Sequence, residues 1–434
     1  MNIIQITPGA GAMFCGGCFR DNALVAEWRR LGHSTLMLPL YLPLTLDEEN
    51  QSAGTPIFFS GISVYLEQKS RLFQNAPQWL HRIFAAPSLL KLASGQAGKT
   101  HPRDLGDLTV SMLRGEEGNQ ARELDELIRW LKTNEKPEII SLSNALLVSF
   151  ARRLKKELKV PVVCSLQGED YFLDSLSEPH RSLAWKILAE RAADVDLFIA
   201  PSQYFAELMG RRLGIPNNRI RVIYNGINLE GYSTENLKPK TQNFPTLGYF
   251  ARMCPEKGLD TLIDAFIALK KRDTSKDLKL KVGGGCGPAD KPFVEQMRER
   301  LRANNLLQDV EFFPNLTRSE KQNFLKSLTV FSVPALYGEA FGLYVIEALA
   351  AGVPVVQPRH SAFPELIEKT GGGLICEPDS ASLAETISKL LNNSEQLRSL
   401  GETGRKTVHE KFSVEKSGRA TVEVFSEVVR SRSK

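Results

Sequence analysis

The chain has 434 residues, of which 42% are hydrophobic and 24% charged, and its formal net charge is +5. The length favours two domains, and the apolar content is enough for globular cores, which excludes wholesale disorder. The mild positive charge falls short of a nucleic-acid footprint, so we expect no nucleic-acid partner. It suits an anionic small ligand or peripheral contact with acidic lipid.

The chain opens on MNIIQIT, which reads as a strand rather than a secretory leader, and no apolar run approaches the ~18 residues of a membrane span. Cysteines outside the N-terminal region are scattered singly, so we expect reduced thiols rather than a disulfide framework. Together these features predict a cytoplasmic location.

Short apolar strands alternate with amphipathic helices along both halves, a pattern typical of parallel sheets covered on both faces. The strands predicted in the first half are NIIQIT, STLMLPL, EIISLS, PVVCSL and DLFIAPS. Those predicted in the second half are TLGYFAR, LKLKVGG, DVEFFP, TVFSVP and VPVVQP. In NALLVSFARRLKKEL, apolar residues recur at helical spacing. Each half is therefore predicted to be a Rossmann-like domain.

Two segments do not follow this alternation. The polar stretch GINLEGYSTENLKPKTQNFP separates the halves and is typical of an interdomain linker. Residues 45–125 are apolar and aromatic but broken by prolines, which indicates an insertion on the first domain. Three interpretations of that insertion are open: extra packing helices, a lid that binds the acceptor, and a surface that contacts a membrane.

A glycine-rich run, PGAGAMFCGGCFRDN, follows the first predicted strand and contains Cys15 and Cys18. A redox pair, half of a metal site and a phosphate-binding loop are the alternatives for this spacing. No second ligand pair supports zinc, and Phe14 stands where a dinucleotide fingerprint needs a third glycine. We interpret the run as a flexible loop in which Gly16 and Gly17 present backbone N–H groups to an anion.

Two other motifs are rejected by their context. ASGQAGKT, residues 93–100, satisfies a relaxed phosphate-loop pattern but runs into Pro102, which blocks the required helix. Asp194 and Asp196 spell the D-x-D motif that holds a cation in some sugar transferases. They enter a strand at its N-terminal end, whereas ligands of open α/β sheets bind beyond the carboxyl ends. We expect a solvated turn there and no metal.

The second half carries more specific patterns. GYFARMCPEKGLDTL places Arg252 and Lys257 just beyond a strand and beside a helix start, where two cations suit a diphosphate. VPALYGEAFGLYVIEALAAGVPVVQP places Glu339 after a strand and Glu347 inside an otherwise apolar helix. Because an unpaired buried charge is costly, the Glu347 carboxylate needs polar partners, and ligand hydroxyls are suitable.

These blocks resemble the retaining glycosyltransferases of family 4, the glycosyl transferases group 1, over nearly the whole chain. GYFARMCPEKGLDTLIDAF is similar to the family's Arg and Lys-Gly block, and GEAFGLYVIEALAAGVPVV to its E-x7-E signature. GGCFRDNALVAEWRRLGH is similar to the family's N-terminal Gly-Gly loop, and KFSVEKSGRATVEVFSEVV to its terminal helix.

The resemblance implies an α/β GT-B fold, with two Rossmann-like domains facing a cleft. The implied domains are an acceptor-side domain over residues 1–235 and a nucleotide-sugar-binding domain over residues 236–412. A C-terminal helix over residues 413–434 would return to the N-terminal domain.

The resemblance also implies a function, which is transfer of a hexosyl unit from a nucleoside diphosphate sugar to an acceptor hydroxyl. The acceptor would belong to a glycan, a glycolipid or a small molecule, and the reaction would retain anomeric configuration without a metal or other cofactor. Arg252 and Lys257 would bind the diphosphate, and Glu339 the sugar hydroxyls. The remaining donor-binding residues implied are Gly16, Gly17, Gln167, Phe341, Gly342, Leu343, Glu347 on the ribose, and Glu365.

The sequence departs from the family pattern at three places. LQGED stands where many members carry a histidine near the donor sugar, Cys286 interrupts the G-x-G-P turn, and Pro314 replaces a usual glycine. These departures concern the sugar and the nucleobase of the donor. Two other functions use the same residues: a nucleotide-sugar epimerase or hydrolase, which needs no acceptor, and a non-catalytic sugar-nucleotide-binding protein.

Overall fold

The computed structural model of the chain describes residues 1–9, 15–59, 105–232, 244–272 and 276–432. They belong to two compact units, one of Met1–Tyr224 with Ser417–Lys434 and one of Asn225–Lys416. The sequence placed the divisions after residues 235 and 412 instead. The motif at residues 93–100 and the middle of the predicted insertion lie outside the described residues. In the described part of the chain, no helix is long and apolar enough to cross a membrane.

The first unit is built on a six-stranded parallel sheet in the order β2-β1-β3-β4-β5-β6. Its strands are β1 Asn2–Thr7, β2 Ser34–Pro39, β3 Ile139–Leu142, β4 Val162–Ser165, β5 Leu197–Ala200 and β6 Ile220–Val222. The first five confirm the predicted strands. The sequence pattern missed β6, because this strand has only three residues and Arg221 interrupts its apolar run.

Helices pack around this sheet as the alternation predicted. They are α1 Gly16–Arg30, α2 Gly106–Arg114, α3 Ala121–Asn134, α4 Ala151–Leu158, α5 Glu169–Asp174, α6 His180–Ala192 and α7 Gln203–Leu213. The predicted helix over NALLVSFARRLKKEL begins as a 3-10 segment, Ala145–Phe150, before α4. Polar side chains fix this tighter turn: Asn144 Oδ1 accepts a hydrogen bond from Leu146 N at 3.0 Å, and Ser149 Oγ donates to the Met112 carbonyl at 2.8 Å.

The second unit has its own six-stranded parallel sheet, in the order β12-β11-β10-β7-β8-β9. Its strands are β7 Thr246–Phe250, β8 Lys279–Gly284, β9 Val310–Pro314, β10 Val330–Phe331, β11 Val355–Pro358 and β12 Gly373–Cys376. Its helices are α8 Leu259–Lys270, α9 Lys291–Ala303, α10 Arg318–Lys326, α11 Leu343–Ala350, α12 Phe363–Thr370, α13 Ser380–Leu391 and α14 Ser394–Lys411. Strand β12 was not predicted, because glycines precede and begin its short apolar run.

The strand order of the second sheet identifies where a ligand belongs. Counted from β9, the sheet contains the third, second, first, fourth, fifth and sixth strands of the unit. This is the doubly wound order of nucleotide-binding domains. The chain adds strands to one side of β7 first and then to its other side, beginning with β10, so the strand order reverses between β7 and β10. Ligands of such sheets bind outside the carboxyl ends of the strands at this switch point.

The last helix, α15 Val414–Arg432, begins at the end of the second unit's chain and enters the core of the first unit. Phe425 is fully buried there, with its ring centroid 5.3 Å from that of Trp28 in an edge-on contact. Burying an aromatic side chain of this kind stabilises a fold by about 1.5–3 kcal/mol. The predicted return of the terminal helix to the first domain is confirmed.

Candidate functional site

The switch point of the second sheet brings two predicted site residues together. Lys257 ends the 3-10 turn Pro255–Lys257 that follows β7, and Glu339 lies in the loop that follows β10. Because β7 and β10 are neighbouring parallel strands, their carboxyl ends meet at one edge of the sheet. Lys257 Nζ lies 2.6 Å from Glu339 Oε2 in an ion pair.

Two tyrosines surround this ion pair. Lys257 Nζ lies 4.9 Å from the ring centroid of Tyr337 and 5.5 Å from that of Tyr344, both within cation–π range. Tyr344 Oη donates a hydrogen bond to Glu339 Oε2 at 3.0 Å. Within the described residues, both hydrogen bonds to Glu339 reach Oε2, so Oε1 is available to a ligand hydroxyl.

The electrostatics keep this ammonium charged. The side chains of Lys257 and Glu339 are only 19% and 15% exposed. Burial by itself lowers the pKa of Lys257, but the Glu339 carboxylate outweighs that effect and raises the pKa above its ordinary value. Burial also raises the pKa of both tyrosines, so their hydroxyls stay protonated and able to donate.

Gly258 explains how the two loops approach each other. Its φ is +68°, a left-handed conformation that side chains rarely adopt. A Cβ atom at this position would lie 1.8 Å from the carbonyl oxygen of Pro334, in the loop after β10. Only glycine permits this contact, which places Lys257 opposite Glu339.

Arg252, the second predicted cation, follows the same strand and pairs with Asp290. Arg252 Nε donates to Asp290 Oδ1 at 3.0 Å, and Arg252 Nη2 lies 2.9 Å from the same oxygen. The Arg252 side chain is 52% exposed, whereas that of Asp290 is 7% exposed and accepts a bond from Gly287 N at 2.9 Å. A guanidinium has five N–H donors, so this pairing orients Arg252 and leaves donors for an anion.

Helix α11 carries the second half of the E-x7-E signature. Gly342 caps its start with φ +92°, Phe341 is buried, and Leu343 is its first helical residue. The first N–H groups of a helix have no acceptor within the helix, so they are able to bind an anion. Glu365 lies half-buried in the first turn of α12, whose Phe363 ring packs against the Gly342 position.

Glu347 has a partner that the sequence analysis did not identify. Its Oε1 lies 2.8 Å from Lys321 Nζ of α10, and the two side chains are 17% and 13% exposed. The expectation of a polar partner is met by Lys321, and the role of ligand hydroxyls at Glu347 stays a prediction.

Three predicted site residues belong to the first unit. The structure places Gly16 and Gly17 in the first turn of α1, not in a flexible loop, because Cys15 already accepts a backbone hydrogen bond from Phe19 N at 3.0 Å. Gln167 follows β4, and its N–H donates to Glu169 Oε2 at 2.8 Å. Gly16, Gly17 and Gln167 belong to a different unit from the Lys257–Glu339 pair.

Two buried carboxylates lie beside Gln167. Burial raises the pKa of Glu169, although its carboxylate accepts N–H bonds from Ala145 at 2.7 Å and from Gln167. Burial likewise raises the pKa of Asp170 to about 6. Asp170 Oδ1 has no hydrogen-bond partner in the part of the chain that the structure describes. The LQGED segment is therefore acidic and buried where the family often has a histidine.

The D-x-D motif forms structural ion pairs. Asp194 Oδ2 accepts from Arg152 Nε at 3.1 Å, and Asp196 accepts from Lys155 Nζ at 2.7 Å and from Val162 N at 2.8 Å. The predicted solvated turn is thus a paired one. Among the described residues, no group of three or more His, Cys, Asp or Glu side chains is arranged to hold a metal ion.

Three supporting residues were missed by the sequence analysis: Asp290, Lys321 and Tyr344. Asp290 follows the GGGCGP turn by two residues, and Tyr344 lies between the two glutamates of the signature. Their proximity to recognised motifs was the only available signal. Lys321 lies on a separate helix, and nothing in its sequence neighbourhood marks it.

Comparisons with known proteins agree with this architecture. Residues 233–407 match the family described as Glycosyl transferases group 1, and residues 108–230 match the one described as Glycosyltransferase Family 4. An uncharacterized glycosyltransferase of Methanocaldococcus jannaschii is 28% identical over 63% of this chain and 71% of its own length. The phosphatidyl-myo-inositol mannosyltransferase of Mycobacterium leprae is 30% identical over 39% of this chain, which spans 44% of that relative.

Solved structures extend the likeness over the whole chain. Sucrose-phosphate synthase from Thermosynechococcus elongatus superposes with a TM-score of 0.70 at 17% identity, covering 99% of both chains. Anabaena HepE in complex with UDP-glucose has a TM-score of 0.67 at 16% identity, covering 98% of this chain and 100% of its own.

Two doubly wound units, joined by a terminal helix that returns to the first, define the GT-B class of α/β proteins. The family matches are more specific than the fold. The chain is a family 4 glycosyltransferase of the group 1 type, and its enzyme class is that of the hexosyltransferases.

Proposed function

We propose that this enzyme transfers a hexosyl unit from a nucleoside diphosphate sugar to an acceptor hydroxyl, with retention of anomeric configuration and without a metal ion. The observation that carries the proposal is the half-buried Lys257–Glu339 ion pair at the switch point of the second sheet. A cation and a carboxylate side by side at this position support the proposal, because this class of sheet receives its ligand there.

Arg252 and Lys257 are the proposed diphosphate contacts. Negative charge grows on the leaving diphosphate as the glycosidic bond breaks, and cations fixed in advance stabilise that charge without reorganisation. Lys257 is held by Glu339, and Arg252 by Asp290. The complex of Anabaena HepE with UDP-glucose supports a nucleoside diphosphate sugar as the donor class.

The carboxylates are assigned to hydroxyl groups of the donor. Glu339 Oε1 is proposed to accept from the sugar, because Oε2 is occupied by Lys257 and Tyr344. Glu347 is proposed to accept from the ribose, with Lys321 holding it in place. The backbone N–H groups at the start of α11 support the phosphate.

The chemistry needs no protein nucleophile in this proposal. The acceptor hydroxyl attacks the anomeric carbon from the face that the diphosphate leaves, and the leaving phosphate oxygen takes the acceptor proton. The two cations supply the charge stabilisation that a divalent ion gives in other sugar transferases.

The first test is thermal unfolding of the wild-type protein with UDP, GDP or ADP. A nucleotide at 100 times its dissociation constant adds about 2.7 kcal/mol to the free energy of unfolding. We expect stabilisation by one nucleotide, its loss in Arg252→Ala, and its retention in Arg359→Ala, an exposed arginine of the same unit paired with Glu377. Equal stabilisation of wild type and Arg252→Ala by that nucleotide would contradict the Arg252 assignment.

The second test follows the donor by NMR, with and without a sugar or lipid acceptor and with EDTA. Acceptor-dependent consumption that survives EDTA, with the donor's anomeric configuration in the product, is the expected result. Donor consumption without an acceptor would instead establish a hydrolase or epimerase, and tight binding without turnover a non-catalytic binding protein.

A further inference from the structure

The CGGC segment occupies the first turn of α1 in a geometry suited to a disulfide. Cys15 is the N-cap residue, and its carbonyl accepts the Phe19 N–H at 3.0 Å, so one helical turn separates it from Cys18. Helix geometry places Cα atoms three residues apart at about 5 Å, which is within the range of disulfide-bonded cysteines. Both thiols are free in the structure.

The two thiols are unequal. Cys18 is 2% exposed, whereas Cys15 is only half-buried. A hydrogen bond from the Cys18 thiol stabilises the Cys15 thiolate and lowers the pKa of Cys15 to about 7, against an opposing effect of burial. The same hydrogen bond and burial raise the pKa of Cys18. A half-buried cysteine that ionises more readily, beside a buried thiol, is the arrangement of an attacking and a resolving cysteine.

A buried carboxylate completes the cluster. Asp21 follows Cys18 by three residues, so the two share one face of α1. Its side chain is 1% exposed, Arg20 Nε donates to its Oδ1 at 3.0 Å, and its Oδ2 has no hydrogen-bond partner within the described residues. Its negative charge acts on both thiols. A buried carboxylate oxygen without a donor is costly, which calls for a functional explanation.

We propose that Cys15 and Cys18 form a dithiol–disulfide exchange site that takes a disulfide as its co-substrate, with Asp21 receiving the proton of Cys18. The Cys15 thiolate attacks one sulfur of the co-substrate, forms a mixed disulfide and releases one thiolate. Cys18 passes its proton to Asp21 and attacks the Cys15 sulfur, which expels the second thiolate. Two protein thiols are oxidised and one disulfide is reduced to two thiols. This activity is independent of the proposed sugar transfer.

The test uses the full-length protein and oxidised glutathione. The protein is equilibrated with graded ratios of reduced to oxidised glutathione, its remaining thiols are blocked with N-ethylmaleimide, and the peptide with both cysteines is analysed by mass spectrometry. We expect an internal Cys15–Cys18 disulfide that dithiothreitol reverses. Cys286, a partly exposed thiol of the second unit, serves as the control within the same molecule. It should react with glutathione at least several-fold more slowly than Cys15.

Variants separate the two steps. Cys18→Ser should trap glutathione on Cys15, whereas Cys15→Ser should reduce glutathione capture at position 18 at least tenfold because that thiol is buried. Asp21→Asn should lengthen the lifetime of the mixed disulfide several-fold without slowing its formation. Full alkylation of both cysteines in the wild type at every glutathione ratio, or faster reaction of Cys286 than of Cys15, would overturn the proposal.

Discussion

The two sheets present very different chemistry at their carboxyl edges, although both are six-stranded, parallel and covered by helices. At the edge of the second sheet, Lys257 pairs with Glu339 and Arg252 with Asp290. At the edge of the first, the Cys15–Cys18 pair follows β1, and Glu169 and Asp170 are buried after β4. The comparison shows that two sheets of the same kind carry different side chains, because the loops and helix starts that follow their strands differ in sequence.

The largest expected effect comes from removing the Lys257 ammonium at the switch point of the second sheet. Lys257→Ala should lower kcat/KM for the donor by about 10- to 100-fold, because a charged hydrogen bond contributes about 1.5–3 kcal/mol. Lys389→Ala, an exposed lysine of the same unit, is the matched control in steady-state kinetics. Equal kinetics in both variants would remove the functional contrast between the two sheet edges.

The next largest effect is expected on the free energy of unfolding, when the buried Asp170 of the first unit is replaced. Burial raises the pKa of Asp170 to about 6 from an ordinary 3.8, so the native state holds this proton more tightly than the unfolded state. The resulting stabilisation is complete below roughly pH 4 and is lost as pH rises through about 6. Asp170→Asn should therefore raise the free energy of unfolding at pH 8 by on the order of 2 kcal/mol, and change it little at pH 4.

Urea unfolding at the two pH values measures this difference. Asp174→Asn is the matched control, because Trp185 Nε1 and Arg212 Nη1 donate to the Asp174 carboxylate at 2.9 and 2.8 Å. Neutralising Asp174 should destabilise the protein at pH 8 instead. A loss of stability in Asp170→Asn at pH 8 would mean that its charge is compensated.

A smaller effect is expected from the carboxylate that orients Arg252. Asp290→Asn keeps the shape and one acceptor oxygen but removes the charge, so nucleotide affinity should fall by about 3- to 10-fold in calorimetric titration. The double variant with Arg252→Ala should be no weaker than Arg252→Ala alone, because Asp290 acts through the arginine. Additive losses in this cycle would show that Asp290 acts independently.

The smallest effect tests whether the Tyr344 hydroxyl helps to orient the Glu339 carboxylate. Tyr344→Phe deletes only the hydroxyl that donates to Glu339 Oε2. A hydrogen bond to a charged group contributes about 1.5–3 kcal/mol, but Lys257 still holds the same oxygen, so we expect a loss of about 0.5–1.5 kcal/mol. Donor turnover should fall by about 2- to 10-fold. The melting temperature should shift little, because the ring keeps its packing against Phe331 and Phe363. Unaltered turnover would show that Lys257 alone orients the carboxylate.

Much of the fold was predictable from the sequence because its strands are short apolar runs between helical periods. Strands β6 and β12 escaped, since three residues or a glycine-led run carry too little pattern. The start of α1 was placed too late, because two glycines suggested a loop where Cys15 already begins the helix. The local amino-acid composition does not predict that Cys15 is an N-cap residue.

The site was predictable only where a motif spans neighbouring residues. Lys257 and Glu339 were identified from their own segments, but their 2.6 Å contact depends on the pairing of β7 with β10. The Lys321–Glu347 and Arg252–Asp290 pairs join residues 26 and 38 positions apart. Nothing local to either residue encodes such distant partners.

Gly258 gives a warning for interpreting variants of this enzyme. Gly258 carries no functional group, yet a methyl group there would collide with the Pro334 carbonyl and separate the loops that carry Lys257 and Glu339. A Gly258→Ala protein would therefore mimic a damaged catalytic residue in an activity screen. Its defect would be a larger distance between the two loops, so adding a charge at neighbouring positions would not restore activity.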